Sequence, residues 1–588
     1  MRTHTCGELD IKDVDTKVVL CGWMHSRRDH GGVIFVDLRD KYGKTQIVFN
    51  PEMKDFKESE HLRREDVLKI TGKVRARGEG LVNPNLSTGK IEVVVEELTI
   101  LNRSETPPIE IDDKKLANED IRLEYRYIDL RRPKMQENFI VRHKFITAMR
   151  EYFNENMFME IETPLLVKST PEGARDYVVP SRVNKGKFYA LPQSPQLYKQ
   201  LLMVSGFDRY YQIAKCLRDE DLRADRQPEH TQFDFEMSFT TQEQIQEVVE
   251  GAIKHSFKKA FDVDVETPFT KLSYKDAMDR FGSDKPDLRY GLELTDVSEI
   301  VKEGDFGVFK SVVESGGVVK AINPDKNFGR KELDNYIKFA QEIGSKGLAW
   351  MRVTDELKLD SNIAKFFSED IQKKLVEKIG AKPNSVLMFI ADKESAVNAI
   401  LDKVRRKLAS DLNLVDPKVF KFAWINDFKL FAKDFETGGW TPEHHIFSMP
   451  KEEFIETMEK DPASVLGDLW DLTLNGWEMG SGSIRVTNPE IQNRLFNIIG
   501  MSDEEAEEKF GFLLKAYKYG GPIHGGMGLG IARFVAMVLG YDDIREVIAF
   551  PKNKNAQNPM DGSPGTIEAK QLKELGLEIK AIPKKKTE

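Results

Sequence analysis

Apolar and polar residues alternate with period two through much of the first hundred positions. Strand-like runs fall at residues 17–24, 33–38, 44–50, 67–77 and 91–101, with a polar, helix-compatible segment at 52–64 between the third and fourth. Five strands with one helix after the third is the order of an OB-fold barrel, a fold suited to single-stranded nucleic acid. In the second run Ile34, Val36 and Leu38 share one face, and Phe35, Asp37 and Arg39 share the other. Phe35 therefore lies among charges, and Gln46, out of phase with Ile47, falls on the outer face of the next strand. A ring beside Arg27, Arg28 and Gln46 makes a stacking platform with hydrogen-bonding edges for unstacked bases. Periodicity alone allows equally that another domain covers Phe35.

Helical spacing follows. Phe145, Ile146, Met149, Tyr152, Phe153 and Met157 mark the apolar positions of a helix that leads into Met159-Glu160-Ile161-Glu162-Thr163-Pro164. Tyr210-Tyr211-Gln212-Ile213-Ala214 and the alternating Phe233/Phe235 read as two strands, with a charged turn between them. The interval 286–420 mixes strand-like runs (347–353, 385–391) with a helical one (394–408), as expected of an inserted α+β domain. The expected organisation is a barrel at 1–103, a hinge at 104–135 stiffened by Pro107-Pro108, and core segments at 136–285 and 421–555 around the insertion. Residues 556–588, ending in Pro583-Lys584-Lys585-Lys586, form a C-terminal extension.

Composition narrows the class. A chain of 588 residues exceeds one core, and 31% charged with 40% hydrophobic residues is ordinary for a soluble protein. No apolar run of about 18 residues exists and Met1-Arg2-Thr3-His4 opens no signal-peptide core, so a soluble, cytoplasmic protein without membrane attachment is expected. Cys6, Cys21 and Cys216 are odd in number and lack metal-ligand spacing, which fits a reducing compartment. The net charge of -9 argues against a nucleic-acid partner until it is split by segment. Residues 1–103 hold 18 Lys+Arg against 17 Asp+Glu, net +1, which leaves -10 for the remainder.

The charged turn carries the chemistry. Leu217-Arg218-Asp219-Glu220 runs on to Gln227 and Asp234, and an arginine at the lip of such a hairpin can clamp a phosphate while carboxylates hold a purine amino group, an ammonium or a metal. Alone, it reads as surface. Far downstream, Gly526-Met527-Gly528-Leu529-Gly530-Ile531-Ala532-Arg533 clears one face of a strand, so that a flat ring can lie on the backbone, and sets an arginine on the next turn. The spacing is not that of a dinucleotide fingerprint.

The Arg-x-Glu hairpin and the Gly-x-Gly-x-Gly-x-x-Arg run, preceded by the helix and the Thr163-Pro164 segment, resemble motifs 2, 3 and 1 of the class II aminoacyl-tRNA synthetases. Over essentially the whole chain the resemblance is to the bacterial aspartyl-tRNA synthetase family. It implies a multidomain protein with an N-terminal OB-fold barrel, a core built on an antiparallel sheet and an inserted α+β domain, and a homodimer joined through motif 1.

The implied reaction activates L-aspartate with ATP and transfers it to tRNA(Asp). By resemblance Arg218 and Arg533 are catalytic, clamping the α- and γ-phosphates. Asp219, Glu220, Gln227, Glu478, Gly530, Ile531 and Ala532 complete the ATP site, and Mg2+ is held at Asp471 and Glu478. From spacing alone, those two acids read as a solvated pair on a helix. Aspartate is implied to meet Glu172, Ser194, Gln196, Lys199, Arg218, Asp234, His444 and Arg485. A buried carboxylate needs counter-charge, which Lys199 and Arg485 supply, and asparaginyl relatives lack that lysine. Gly173 offers the loop carrying Glu172 a hinge. Arg27, Arg28, Phe35 and Gln46 match the positions that read the anticodon.

Two departures matter. Ala532 replaces an aspartate common before the motif 3 arginine, so the orientation of Arg533 must come from elsewhere. In the loop Arg28-Asp29-His30-Gly31-Gly32, His30 replaces the leucine of members strict for aspartate tRNA. With Gly80 and Leu81 in the 78–81 loop, it resembles the subset that also charges tRNA(Asn). A strictly discriminating ligase, a synthetase-like enzyme without tRNA and a nucleic-acid binder with an inactive core are the competing readings; the barrel weighs against the second and the retained charged residues against the third.

Overall fold

The computed structural model describes residues 1–170, 173–434 and 438–580. These divide into two compact units, Met1–Ile140 with Arg545–Gly565, and Val141–Ile544 with residues 566–580.

In the first unit, strands Lys17–His30, Val33–Arg39, Lys44–Phe49, Val67–Ala76 and Ile91–Asn102 close into a five-stranded barrel. Period-two packing fills it with Val18, Leu20, Ile34, Val36, Leu38, Ile47 and Ile70. The segment Arg28 to His30, expected as loop, is strand. Gly31 and Gly32 take φ of +64° and +88°, which permits a two-residue hairpin turn and lets pairing continue to His30 opposite Val33.

The expected hinge contains folded pieces, Glu119–Glu124 and Arg126–Asp129. Buried Asp129 accepts from Arg122, Arg126 and Arg132, while Arg126 also donates to the carbonyls of Arg545, Ile548 and Ala549. These bonds tie Arg545–Gly565 to the barrel-and-linker unit.

The second unit centres on an eight-stranded sheet. Its order is Thr270–Ser273, Phe422–Asn426, Leu469–Leu474, Trp477–Ile484, His524–Gly530, Glu229–Ser238, Arg209–Leu217, Met159–Glu160. The six inner strands pair antiparallel and both edge strands pair parallel. Helix Pro133–Glu155 lays Phe145, Met149 and Phe153 into the core, but Met157 lies beyond its end at φ +65° and 78% exposed, not on the apolar stripe. Phe153 anchors the back of the sheet, with ring centroids 4.5 Å from Phe233 and 5.2 Å from Phe235.

The insertion is a five-stranded antiparallel sheet with one core on each face. Alternation along Val386–Asp392 sends Val386, Met388 and Ile390 to one core, and Leu387 and Phe389 to the other. Asp471 and Glu478 lie not on a helix but on adjacent strands of a hairpin, Leu469–Leu474 and Trp477–Ile484. No helix among the described residues is long and apolar enough to cross a membrane.

Replacing Phe153 by alanine is expected to destabilise the sheet by about 3–5 kcal/mol through the cavity left beneath Phe233 and Phe235. Urea unfolding followed by tryptophan fluorescence would show the shift; a midpoint equal to the wild type's would contradict the packing described.

Candidate active site

Three central strands build the floor of a cleft of about 490 Å³. Alternation along Glu229–Ser238 turns Phe233 and Phe235 to the aromatic core and Gln232, Asp234 and Glu236 to the cleft side. Asp234 lies opposite Gly528 and Glu236 opposite Gly526. A Cβ on Gly526 would stand 2.1 Å from the Phe235 carbonyl oxygen and 2.2 Å from Glu236 Oε2. The alternate glycines thus make room for carboxylates from the next strand, besides baring the backbone.

Those carboxylates meet two buried cations. Lys199, in the first turn of helix Gln196–Val204, lies 2.8 Å from Asp234 and 3.1 Å from Glu236. Arg485 donates through Nε to Glu236 Oε1 (2.8 Å) and through Nη2 to Glu236 Oε2 (3.2 Å) and the Gly526 carbonyl (3.1 Å), while Nη1 reaches Ser483 (2.6 Å). Burial pushes the Glu236 carboxyl up, but Arg485 and Lys199 outweigh it and hold the group at about 2. Asp234, equally buried with Lys199 as its main counter-charge, is raised. An ammonium has three donors, and Lys199 commits two to these acids. Gln196 and Ser194 line the same end, and Gln196 Nε2 is buried without a partner among the described residues.

The other end of the cleft carries the motif arginines. Arg533 donates to the Glu478 carbonyl (2.7 Å) and to Asp225 Oδ2 (3.2 Å), which supplies the orientation that Ala532 cannot. Arg218 reaches the Gln193 carbonyl at 3.5 Å and lines the cleft with Gln227, Glu220, Gly530 and Ala532. Glu220 pairs with Arg226 at 3.1 Å across the turn. Asp219 is exposed and Ile531 is packed at 1% exposure; neither lines the cleft, because the Asp219 amide bonds the Arg175 carbonyl and Ile531 starts a buried helix. Glu172 lies outside the described residues.

Glu478 and Asp471 face each other. Burial, then Asp471, raises the Glu478 carboxyl, a pairing that a cation would relieve. Asp471 is itself buried, accepting from Ser481 at 2.6 Å with His444 Nε2 at 3.5 Å. His444 lines the cleft as well, and Asp471 raises its pKa against the effect of burial. Its neighbour His445 faces the pocket cations: burial, then Arg485 and Lys199, push it down to about 3. His445, Asp225 and Glu236 were not anticipated from sequence, although Glu236 stands two residues beyond Asp234 in a period-two strand.

On the barrel, Arg28 pairs in register with Phe35, and Asp37 with Gln46, so Arg28, Phe35 and Gln46 share the outer face. Arg27 does not. It is opposite inward Val36 and donates to the Glu60 carbonyl (2.6 Å), because successive side chains of a strand alternate. Gln46 is covered rather than open, accepting from Arg28 (3.1 Å) and donating to Glu92 (2.8 Å), which also takes Arg75. Arg77 Nη2, buried without a partner among the described residues, is a further polar group there. The His30 ring meets Phe35 edge-on at 5.9 Å, whereas Gly80 (φ +80°) and Leu81 (69% exposed) form an open loop.

A family model described as tRNA synthetases class II (D, K and N) matches residues 118–554, and one for an OB-fold nucleic acid binding domain matches 18–101. The chain is 50% identical, over 98% of both chains, to the aspartate–tRNA(Asp/Asn) ligase of Caldanaerobacter subterraneus subsp. tengcongensis. The chain belongs to the class II aspartyl-tRNA synthetase family. Another relative in this synthetase family, the aspartate–tRNA ligase of Bacillus licheniformis, is also 50% identical, over 98% of this chain and 99% of its own. The synthetase fold is shared with asparaginyl-tRNA synthetase from Pyrococcus horikoshii, at TM-score 0.58 and 18% identity over 93% of this chain and 97% of that one.

Glu236→Gln should weaken L-aspartate binding by about 2–5 kcal/mol, since it leaves two buried cations with one acid between them. ATP binding, at the other end of the cleft, should hold. Calorimetric titration with each ligand checks this; equal loss for both would mean that the variant only unsettles the sheet.

Proposed function

We propose that the chain is an aspartate–tRNA ligase acting on tRNA(Asp) and also on tRNA(Asn). In the first step an oxygen of the aspartate α-carboxylate attacks the α-phosphorus of ATP, the bond to the β-phosphate oxygen breaks, and pyrophosphate leaves. In the second, a ribose hydroxyl at the tRNA 3′ end attacks the carbonyl carbon of the mixed anhydride and AMP leaves with the bonding electron pair. Neither step needs a protein nucleophile, so the site works by positioning and charge.

The observation that carries this reading is the cleft's polarity. One end holds Lys199 and Arg485 with spare donors, set by Glu236, and the other holds Arg218 and Arg533. Lys199 and Arg485 take the substrate's side-chain carboxylate, and Asp234, Ser194 and Gln196 its ammonium. Arg218 neutralises the α-phosphate, Arg533 takes the γ end, and Glu220 and Gln227 hold adenine once Arg226 yields. Gly530 and the backbone of Ile531 and Ala532 flank the nucleotide. His444, beside Asp471, approaches the substrate carboxylate. Asp471 and Glu478 would hold Mg2+, which would offset phosphate charge; the repulsion from Asp471 that helps to raise the Glu478 carboxyl fits such an ion.

The barrel presents Arg28, Phe35 and Gln46 to the anticodon. Glu92 and Arg77 extend this polar surface, and Arg27 acts from the neighbouring face. His30 reaches this surface through Phe35, and its small, polar ring replaces leucine where breadth is decided; Gly80 and Leu81 border the same task. Exposed Met157 and Met159, at the edge strand Met159–Glu160, support a homodimer through that edge. The chain acts in the cytoplasm, without membrane attachment.

Two relatives of equal identity differ in the tRNA breadth their names state, so breadth has to be measured. Transcripts of tRNA(Asp) and tRNA(Asn) are both expected to accept aspartate, and His30→Leu to lower charging of tRNA(Asn) more than that of tRNA(Asp). No charging of tRNA(Asn) by the wild type would leave a ligase strict for tRNA(Asp).

A further inference from the structure

On the same barrel, away from Phe35, one histidine ring is faced by cationic donors on both sides. The register between Lys17–His30 and Val33–Arg39 slips between Met24 and Ser26, so His25 is the extra residue of a β-bulge. Bulges re-aim side chains, and this one sets the His25 ring between two cations. Nδ1 lies 3.1 Å from Arg39 Nη1 and Nε2 lies 2.8 Å from Lys44 Nζ. A neutral imidazole has one N–H and one lone pair, whereas Arg and charged Lys only donate. In either tautomer, one ring N–H points at a cationic donor.

Among the described residues no acid is hydrogen-bonded to His25 or to the Lys44 ammonium. Glu65 takes Arg39 through both oxygens (3.0 and 2.8 Å) and Arg131 (2.9 Å). Asp37 accepts from Ser26 (2.6 Å) and Arg28 (3.2 Å), and Asp112 from the Lys114 amide (2.9 Å). Burial, then Lys44, Arg39 and Arg64, push His25 down to about 4, and burial with Arg39 lowers Lys44 as well. His25 and Lys44 are half-buried and Arg64 is exposed, so the cluster remains within reach of solvent.

We propose that His25, Arg39 and Lys44, with Arg64 at the rim, form a subsite for one backbone phosphodiester of the bound RNA. A phosphate oxygen set beside the Lys44–His25 pair, with the flexible ammonium turned toward it, accepts from both and turns the opposed donors into partners. Position favours RNA backbone over a free anion. Arg39 lies on the outer face of the strand that carries Phe35, four residues further on, roughly 13 Å at about 3.3 Å per residue. A strand stacked on Phe35 can therefore run its backbone across this cluster. The role is to hold register, without reading sequence.

The proposal rests on tRNA binding by the barrel. The test measures tRNA(Asp) affinity of the full-length protein across a salt series for wild type, Lys44→Gln and Lys44→Arg, with aspartate-dependent pyrophosphate exchange as the check that the distant catalytic unit is intact. Lys44→Gln is expected to weaken binding by the same factor for tRNA(Asp) and for an anticodon-altered transcript, and to reduce the slope of log K against log salt by about 0.7–0.9. Lys44→Arg should keep the slope. An unchanged slope in Lys44→Gln overturns the proposal even if inorganic phosphate shifts the His25 ring resonances, since the cluster is then an isolated anion site. Wild-type protein that binds no tRNA overturns the underlying reading as well, and is told apart by the wild-type arm alone.

Discussion

Glu236 is the residue on which the catalytic unit turns. It lies fully buried on the middle of a sheet and is bonded at once to Lys199 and Arg485. Two cations that close could not be kept desolvated without it, and with Asp234 the cluster sums to no net charge. Its members come from three elements: Lys199 from a helix, the two acids from the strand Glu229–Ser238, and Arg485 from the residue after the strand Trp477–Ile484. The charge balance therefore also fixes how those elements meet. Gly526 and Gly528 face the two acids because any side chain there would occupy their space.

What stands behind the sheet matters as much as what lines it. The strand that presents Asp234 and Glu236 to the cleft presents Phe233 and Phe235 to Phe153, so aromatic packing on one face sets the acids' height on the other. Arg533 shows the same economy. Without an aspartate at position 532, its guanidinium is aimed by the Glu478 carbonyl and by Asp225 from the motif 2 turn, which couples the two arginine-bearing motifs directly.

Much of this was legible from residue spacing. Period two gave the five barrel strands and the faces of Phe35 and Phe233, since a strand's alternation survives in sequence whatever packs on it. It could not say which of Arg27 and Arg28 shares the face of Phe35, because the bulge at His25 changes the phase of the strand and no local pattern announces a bulge. The hairpin of Asp471 and Glu478 was read as a helix for a related reason: a seven-residue separation fits two helical turns as well as two paired strands, and only the partner strands decide. The different surroundings of His444 and His445 depend on which acids and cations the fold brings near, and adjacent identical residues carry no sign of that. Glu220, by contrast, was placed on the right turn, but its pairing with Arg226 across that turn could not be read from the alternating charges.

The measurement that bears most directly on the central claim is pyrophosphate exchange into ATP by the unmodified chain, with L-aspartate and L-asparagine compared as the amino acid. Lys199 and Arg485 are set for a charged side chain, so aspartate should exceed asparagine in kcat/KM on the order of 10²-fold or more. Equal exchange with the two amino acids, or none with aspartate, would contradict the assignment of the Glu236-centred cluster as the aspartate pocket.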